Sequence, residues 1–237
     1  MWQFESELSE IIQRTPDIKS FRFPVKAKGV RYRSGQFFFI TIKVHGKEAI
    51  HHFSFSSSPT DKGYIEFTKR ITSSDFSQAL DVMQPGTWAH LRGPEGNFTL
   101  PRKQHRLAFL SGGIGITPLR SMLRYITAKR LPYDVALLYG NNSFEDIAFR
   151  QELDNLAASH PNLRVEYMLS GSNLPPDWRG KTGFINRDLV GELILDSKER
   201  LFYISGPPRM VITLEAELDA LGIPSAQIKR DSFTGYD

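Results

Sequence analysis

The feature that most constrains the fold is a change in hydrophobic period about one hundred residues into the chain. Up to residue 102, short runs rich in Phe, Ile, Val and Thr alternate with turn pairs such as Ser34-Gly35, a pattern typical of antiparallel strands. One run in this part, residues 75–83, has helical spacing, and Asp75 is its candidate N-cap. From residue 103 onward, strand-like runs alternate with segments of helical spacing, such as residues 144–159, a pattern typical of parallel strands joined by helices. The sequence therefore predicts an antiparallel β-barrel followed by a parallel α/β domain.

Composition excludes several kinds of site. The chain contains no cysteine, which excludes disulfides, cysteine-ligated iron–sulfur clusters and a thiol nucleophile. Its apolar runs are shorter than the roughly 18 residues that a membrane-spanning helix needs, and its acidic first ten residues lack the pattern of a signal peptide. We therefore expect a cytoplasmic protein that does not enter a membrane.

The net charge of +4 is concentrated in the first part of the chain. Residues 1–102 carry 14 of the 30 basic side chains and 10 of the 26 acidic ones. An ordinary solvated surface accounts for this imbalance, but an acidic partner that docks on the first half is an alternative. A dense stripe of Lys and Arg with interleaved aromatics is absent from the sequence, so nucleic acid is not expected as a partner.

A glycine-rich turn, "LSGGIGITPL", lies between a predicted strand and a predicted helix. Gly112, Gly113 and Gly115 would let the backbone approach a phosphate without a Cβ in the way. Thr117 supplies a hydroxyl at the start of the helix, and Pro118 is tolerated there. The spacing departs from G-x-G-x-x-G, so a tight turn without a ligand remains an alternative.

A second glycine-bearing strand end, "YISGPPRM", contains Gly206, Pro207 and Met210. Parallel strands present their carboxyl ends at one edge of a sheet, where ligands bind. The two turns are therefore expected to line one crevice.

The stretch "HHFSFSSSP" places two imidazoles beside aromatic rings and hydroxyls. A metal site is disfavoured because adjacent strand residues point to opposite faces and the sequence offers no evident third ligand. A flat ligand against a ring and a purely structural aromatic strand both remain open. In a strand, Phe53 and Ser54 point to opposite faces, so a bulge or turn is needed if both are to contact one ligand.

In order, six elements of the chain resemble the ferredoxin–NADP(+) reductase family of flavin- and nicotinamide-dependent oxidoreductases. They are "SGQFFFI", "HHFSFSSSP" (similar to Arg-x-Tyr-Ser), "DFSQAL", "RGPEGNF" (similar to Gly-Pro-x-Gly-x-Phe), "GGIGITP" and "SGPPRMV" (similar to Cys-Gly-Pro-x-x-Met). The ending "RDSFTGYD" resembles the acidic-x-Phe ending of several members. The His-x-Phe-Ser form of the flavin motif is similar to that of ferric reductases. The resemblance implies a Greek-key β-barrel flavin domain over residues 1–102 and a Rossmann-like nicotinamide domain over residues 103–237.

The resemblance also implies roles for the flavin motif. Phe53 would lie against the isoalloxazine, and the Ser54 hydroxyl would hydrogen-bond near N5. His51 would replace the Arg that binds the FAD pyrophosphate, although imidazole lacks the permanent charge and bidentate geometry of guanidinium. His52 is counted with the same FAD-binding segment.

Further sites follow from the same resemblance. The backbone of Thr68 and Lys69, with Arg70 nearby, would meet the flavin or its phosphates. Helix residues Phe76 and Ser77 would meet the pyrophosphate. Near the flavin and nicotinamide, the resemblance places Phe233 over a flavin face, Asp231 in place of the usual Glu, and Ser205 in place of the usual Cys. Ser54, Ser205 and Asp231 are the expected catalytic residues. The nicotinamide-binding residues implied are Gly112, Gly113, Gly115, Thr117, Pro118, Asn142, Gly206, Pro207 and Met210.

The choice between NADH and NADPH depends on a position after the strand "LLYG". Asn142 stands where NADP-specific members place an Arg for the 2′-phosphate, and an amide carries no charge for that group. This favours NADH, although Arg179 and Lys181 lie close enough in sequence to supply a cation.

The expected function is hydride transfer between NADH or NADPH and FAD, with electrons passed to ferredoxin, flavodoxin or an oxygenase component. The alternatives are a reductase of free flavin or iron chelates, and a non-catalytic subunit of the same fold.

Overall fold

The computed structural model describes residues 1–233. Its first seven strands are antiparallel and form two sheets, with strand orders β1-β7-β4-β5 and β2-β3-β6. The strands are β1 (Trp2–Glu7), β2 (Glu10–Thr15), β3 (Ile18–Pro24), β4 (Phe37–Val44), β5 (Lys47–Ser54), β6 (Tyr64–Arg70) and β7 (Trp88–Glu95). Helix α1 (Asp75–Asp81) connects β6 to β7. We call this part the antiparallel half.

One aromatic core joins the two sheets of the antiparallel half. Phe38 and Phe53 come from one sheet, Phe21 and Phe67 come from the other, and all four are buried. The Phe53 ring stacks on the Phe67 ring with centroids 4.4 Å apart. Alternation along each strand places these rings inward, as the short period-2 runs predict.

The rest of the described chain, the parallel half, is one six-stranded sheet with strand order β11-β10-β9-β8-β12-β13, and every neighbouring pair is parallel. Its strands are β8 (Arg106–Gly112), β9 (Asp134–Asn141), β10 (Leu163–Leu169), β11 (Lys181–Thr182), β12 (Leu201–Gly206) and β13 (Ile228–Ser232). Its helices are α2 (Ile116–Ala128), α3 (Arg150–Ser159), α4 (Arg187–Leu193) and α5 (Pro208–Ala220). The predicted fold class is confirmed.

Helices cover both faces of the parallel sheet. Helices α2 and α3 contribute to one core cluster, and α4 and α5 contribute to the other. The antiparallel strands end at Glu95 and the parallel sheet starts at Arg106. The domain boundary at 102/103 falls in this connection and stays a prediction.

Several local expectations differ from the structure. The short helix was expected over 75–83 with Asp75 as N-cap, but it ends at Asp81 and its N-cap is Ser74. The Ser74 hydroxyl oxygen accepts from the Ser77 amide, as short polar side chains do at this position. Helix α3 starts at Arg150 rather than at residue 144, and strands β1 and β2 were not predicted.

Helix α2 is tied directly to the antiparallel half. The Arg120 guanidinium donates to the Ser56 carbonyl at 2.7 Å and to the Glu66 carboxylate at 2.6 Å. The Ser121 hydroxyl donates to the Ser57 carbonyl at 2.6 Å. The helix that follows the glycine turn therefore fixes the segment that follows Ser54.

Residues 1–233 contain neither a membrane-spanning helix nor a cluster of metal-ligating side chains. No helix there is long and apolar enough to cross a bilayer. No group of three or more His, Asp or Glu side chains there is placed to hold a metal ion.

Candidate active site

A cleft of about 900 Å³ lies at the carboxyl edge of the parallel sheet. We call it the nucleotide cleft. It is bounded by the ends of β8, β9 and β12 and by the first turns of α5. The predicted site residues that line it are Gly112, Gly113, Asn142, Pro207, Met210 and Phe233. Both glycine-bearing strand ends thus meet at one crevice, as the parallel arrangement predicts.

Close packing against the backbone requires glycine at Gly115 in the first turn, and the neighbouring glycines have weaker structural reasons. A Cβ on Gly115 would lie 2.1 Å from the Ser205 carbonyl oxygen, and one on Gly112 would lie 2.3 Å from the Met210 sulfur. Gly113 has φ +51°, in the left-handed region that favours glycine. Gly206 packs against the same methionine. The two turns therefore hold each other in place. This packing gives the glycines a structural reason that does not need a ligand, as the alternative of a tight turn expects.

At this edge of the sheet, two buried hydroxyls lack a hydrogen-bond partner within the described part of the chain. Ser111 and Ser205 are fully buried, and neither Oγ has a partner among residues 1–233. Strand register places Ser205 between Ser111 on β8 and Asp231 on β13. Of the two, Ser111 lines the cleft. Buried polar groups are normally satisfied, so its unpaired hydroxyl fits a polar ligand there.

A second, smaller cavity of about 70 Å³ lies between the two halves. We call it the flavin cavity. The predicted site residues that line it are His52, Phe53, Ser54, Thr68, Lys69, Thr117, Asp231 and Phe233, together with Arg70. Strand β5 pairs with β4 without a register shift and ends at Ser54. The chain turns there, so Phe53 and Ser54 both reach the cavity.

The hydroxyl of Ser54 and the carboxylate of Asp231 meet across the cavity. Ser54 Oγ donates to Asp231 Oδ2 at 3.3 Å, joining two residues 177 positions apart. Burial raises the pKa of Asp231 to about 6, and the Ser54 hydrogen bond opposes this only in part. A carboxyl group that titrates near neutral pH can hold or release a proton at Oδ2.

Lys69 is buried in the same cavity. Only 3% of it is exposed, and burial lowers its pKa to about 8. Its Nζ donates to the Arg70 carbonyl at 3.1 Å. A buried ammonium group beside a cavity favours negative charge on whatever occupies that cavity.

The residues predicted for the FAD pyrophosphate have other contacts. The His51 ring lies 4.0 Å from the Phe76 ring, centroid to centroid. Burial lowers the pKa of His51, and Lys69 and His52 lower it further, which favours the neutral imidazole. Ser77 is buried, and its hydroxyl accepts from the Thr72 amide at 2.8 Å. Phosphate binding by His51, Phe76 and Ser77 stays a prediction.

The start of α2 also lies beside the flavin cavity. The Thr117 hydroxyl donates to the Ile114 carbonyl at 3.2 Å, and Pro118 is buried. The Thr68 hydroxyl faces Ser20 and Ser56 instead of the cavity, so any contact from Thr68 is through its backbone, as predicted.

Asn142 lines the nucleotide cleft, whereas Arg179 and Lys181 do not. Lys181 pairs with Glu192 on α4. Among the described residues, the arginines that line the cleft are Arg70 and Arg209. Arg179 and Lys181, the two basic residues that could have supplied a cation for a 2′-phosphate, therefore lie outside the cleft lining, and NADH stays the predicted nucleotide.

Three residues line both cavities: Arg70, Ile114 and Phe233. They come from β6, the glycine turn and the segment after β13. Groups bound on the two sides would meet across this shared wall.

Comparison with known proteins matches the chain to two oxidoreductase domain families. Residues 5–112 match the oxidoreductase FAD-binding domain, and residues 109–215 match the oxidoreductase NAD-binding domain. The chain is 31% identical over 218 residues to NADH-cytochrome b5 reductase 1 of Meyerozyma guilliermondii, covering 89% of this chain and 75% of that protein. The chain belongs to the ferredoxin–NADP(+) reductase family.

Other members extend this comparison. The NADPH-dependent nitrate reductase of Fusarium oxysporum is 30% identical over 239 residues, which cover 89% of this chain and 26% of that protein. The solved CS-b5R domains of human Ncb5or, in their NAD+ form, superpose with a TM-score of 0.85 at 25% identity and cover 97% of this chain and 69% of that one.

As a ferredoxin–NADP(+) reductase family member, the protein is an oxidoreductase that uses FAD and a nicotinamide nucleotide. When bound, FAD supplies a ring that accepts a hydride and releases electrons singly or in pairs. The residues present fit both groups: Ser111, whose hydroxyl is unpaired among residues 1–233, lines the nucleotide cleft, and Ser54, Lys69 and Asp231 line the flavin cavity.

Some residues that line the two cavities were not predicted from the sequence. Ile114 and Phe37 line the flavin cavity, and Ser111 and Asp146 line the nucleotide cleft. The position of Ser111 directly before Gly112 is a signal that could have been used. Phe37 and Asp146 reach the site through the tertiary fold, which leaves no local pattern.

Proposed function

We propose that this protein is an NADH-dependent reductase that contains bound FAD and passes electrons to a separate small redox protein. The observation that carries the proposal is the shared wall, because it brings a nucleotide cleft and a flavin cavity into contact through Arg70, Ile114 and Phe233. Hydride transfer needs the two rings to be held close and in a fixed orientation.

Roles for the site residues follow from their positions. Ser54 would hydrogen-bond the flavin edge, and Asp231 would hold a proton at Oδ2, which the Ser54 hydroxyl contacts. Phe53 and Phe233 would provide apolar walls, and Lys69 would offset negative charge on the reduced ring. Ser205 would sit beside the nicotinamide, which the glycine turn and Met210 orient.

The electron acceptor is proposed to be cytochrome b5 or a similar acidic haem protein. Relatives with about 30% identity are named NADH-cytochrome b5 reductases, which favours this acceptor over the ferredoxin, flavodoxin or oxygenase component expected from sequence. The basic excess in residues 1–102 supports an acidic partner.

The test is a visible spectrum of the purified protein, followed by anaerobic addition of NADH or NADPH. Rapid bleaching of a bound yellow flavin by NADH is expected, with slower bleaching by NADPH. Cytochrome b5 and ferredoxin are then compared as acceptors at rising salt, where screening should slow transfer to the true partner. If neither NADH nor NADPH bleaches the flavin, the proposal is excluded.

A reductase of free flavin or iron chelates is a second candidate. Two observations favour it: the His51 ring packs on the Phe76 ring, and the lowered pKa of His51 favours a neutral imidazole. Both weaken the expected binding of a pyrophosphate by His51. Under this alternative, flavin is lost on gel filtration and turnover returns when free flavin is added.

A further inference from the structure

A third cavity, a groove of about 680 Å³, lies between the two halves of the molecule. We call it the interface groove. One wall is strand β2 of the antiparallel half, and the other is helix α3 with the loop that precedes it. Within residues 1–233, none of its lining residues also lines the nucleotide cleft or the flavin cavity. A molecule bound in the groove would therefore contact both halves without occupying the redox site.

The most buried residues that line the interface groove are apolar. Ile147 and Phe149 are 5% and 7% exposed, and Leu156 packs against the core cluster to which both belong. Three exposed side chains of the lining carry amide groups: Gln13, Gln151 and Asn155. An apolar surface with a few polar groups around it is the usual lining of a site for a small molecule.

Arg14 on β2 places a positive charge beside this apolar surface. Its guanidinium carbon lies 4.9 Å from the centroid of the Phe149 ring. Its Nε donates to the Ser20 hydroxyl at 2.8 Å, and its Nη2 donates to the Glu66 carboxylate at 3.3 Å. The side chain is 18% exposed and lines the groove. An anion bound in the groove can therefore reach the guanidinium.

Three arginines share the Glu66 carboxylate, and the charge of Arg14 is the least compensated of the three. The bonds from Arg22 and Arg120 are 2.7 Å and 2.6 Å long, whereas the bond from Arg14 is 3.3 Å long. Arg22 and Arg120 each have a second carboxylate partner, but Glu66 is the only ion-pair partner of Arg14 within residues 1–233. Burial lowers the pKa of Arg14, Glu66 opposes this only in part, and Arg120 lowers it further. An anion beside Arg14 would relieve this imbalance.

The other charged side chains that line the groove already have partners of opposite charge. Glu152 accepts hydrogen bonds from Arg120 and Arg124, one arginine on each carboxylate oxygen. Arg150 Nε lies 3.9 Å from Asp154 Oδ2. Because the charge of Glu152 is offset by two arginines, it opposes an anion in the groove only weakly.

We propose that the interface groove is a second ligand site, which binds a small organic carboxylate with an apolar body. The carboxylate would pair with the Arg14 guanidinium, and the apolar body would pack against Ile147, Phe149 and Leu156. Because the lining comes from both halves, the bound ligand would hold β2 and α3 together and stabilise the folded protein. The site goes beyond the proposed function, since it involves neither the flavin nor the nucleotide.

The probe is benzoate, a carboxylate on an apolar ring, and its binding to the protein as purified is measured by ligand-detected NMR titration. Wild type is expected to bind benzoate about tenfold more tightly than benzamide, which has a similar shape without the charge. Arg14→Gln is expected to weaken benzoate binding about tenfold, through loss of a charge-assisted hydrogen bond. Asn155→Trp, at an exposed position of the lining, is expected to weaken it at least as much by filling the groove.

Arg22→Gln is the matched control, because Arg22 also donates to Glu66 but does not line the groove. Arg70→Gln is a second control, because Arg70 lines the nucleotide cleft and the flavin cavity, where benzoate could bind instead. Both variants should bind benzoate as wild type does.

Four results would overturn the inference: no binding of benzoate by wild type, unchanged binding by Arg14→Gln, equal weakening by Arg22→Gln, or loss of binding in Arg70→Gln. Should Arg14→Gln fail to fold, Asn155→Trp decides the question, because Asn155 contributes no bond to Glu66. Unchanged benzoate binding by Asn155→Trp would then show that the probe binds elsewhere.

Discussion

Two acidic side chains lie between the halves of the molecule, and their surroundings shift their pKa values in opposite directions. Glu66 is 1% exposed, and burial by itself would raise its pKa. Arg120, Arg14 and Arg22 outweigh burial and hold the pKa of Glu66 below its ordinary value. Asp231 has a hydroxyl in place of arginines, so burial raises its pKa to about 6.

The difference shows how one interface serves two purposes. Around Glu66, three arginines donate hydrogen bonds, and the bond from Arg120 fixes the antiparallel half to α2. Around Asp231, one hydroxyl leaves the carboxyl group free to change protonation near neutral pH. The arginine-rich side supports the fold, and the arginine-poor side is suited to chemistry.

Glu66→Gln should give the largest effect on stability. It leaves guanidinium groups without their shared carboxylate, and breaking a buried pair typically costs about 3–5 kcal/mol. Urea unfolding is the measurement, with Glu48→Gln, an exposed position on β5, as control. A loss no greater than that of the control would mean that the network does not stabilise the interface.

Asp231→Asn should change the pH dependence of stability. The raised pKa means that the contribution of Asp231 is fully present below its unfolded value of 3.8 and is lost as pH rises through about 6. The variant should therefore gain about 2–3 kcal/mol over wild type between pH 4 and pH 8. Urea unfolding at the two pH values measures this gain, and the exposed Asp219→Asn should show none.

Ser54→Ala should separate chemistry from folding. Loss of the hydroxyl is expected to slow flavin reduction by NADH about tenfold, through one hydrogen bond. Stability should change by less than about 1 kcal/mol, because the bond to Asp231 is partly exposed. Stopped-flow absorbance at saturating NADH measures the rate. A wild-type rate would contradict the role given to Ser54.

Ser111→Ala should have the smallest effect and the opposite sign. Removing a buried hydroxyl that has no partner among residues 1–233 should stabilise the free protein by about 1 kcal/mol. The same change should weaken NAD+ binding severalfold if the hydroxyl serves the nucleotide. Thermal unfolding and calorimetry measure the two effects, with the exposed Ser172→Ala as control. Lower stability of Ser111→Ala would show that the hydroxyl has a structural partner.

The sequence predicted the features that depend on local patterns. The change of period near residue 100 indicated the fold class, and the glycines before α2 indicated a strand-to-helix turn at the sheet edge. Period and turn chemistry are properties of a few adjacent residues, so they can be read without the fold.

The contacts between the halves could not be predicted in this way. Arg120 and Glu66 are 54 positions apart, and Ser54 and Asp231 are 177 apart. An arginine in the middle of an amphipathic helix is normally read as solvent-facing, whereas Arg120 is 3% exposed. The start of α3 was also missed, because Phe149 adopts a left-handed conformation just before the helix begins.

Dividing the chain at the predicted boundary, 102/103, would break the hydrogen bond between Arg120 and Glu66. A fragment of residues 1–102 would keep Glu66 but lose Arg120, together with the Ser121 hydroxyl that caps the Ser57 carbonyl. Such a fragment would be expected to express poorly, and co-expression with the remaining chain, residues 103–237, would be the rational route to a split version of this reductase.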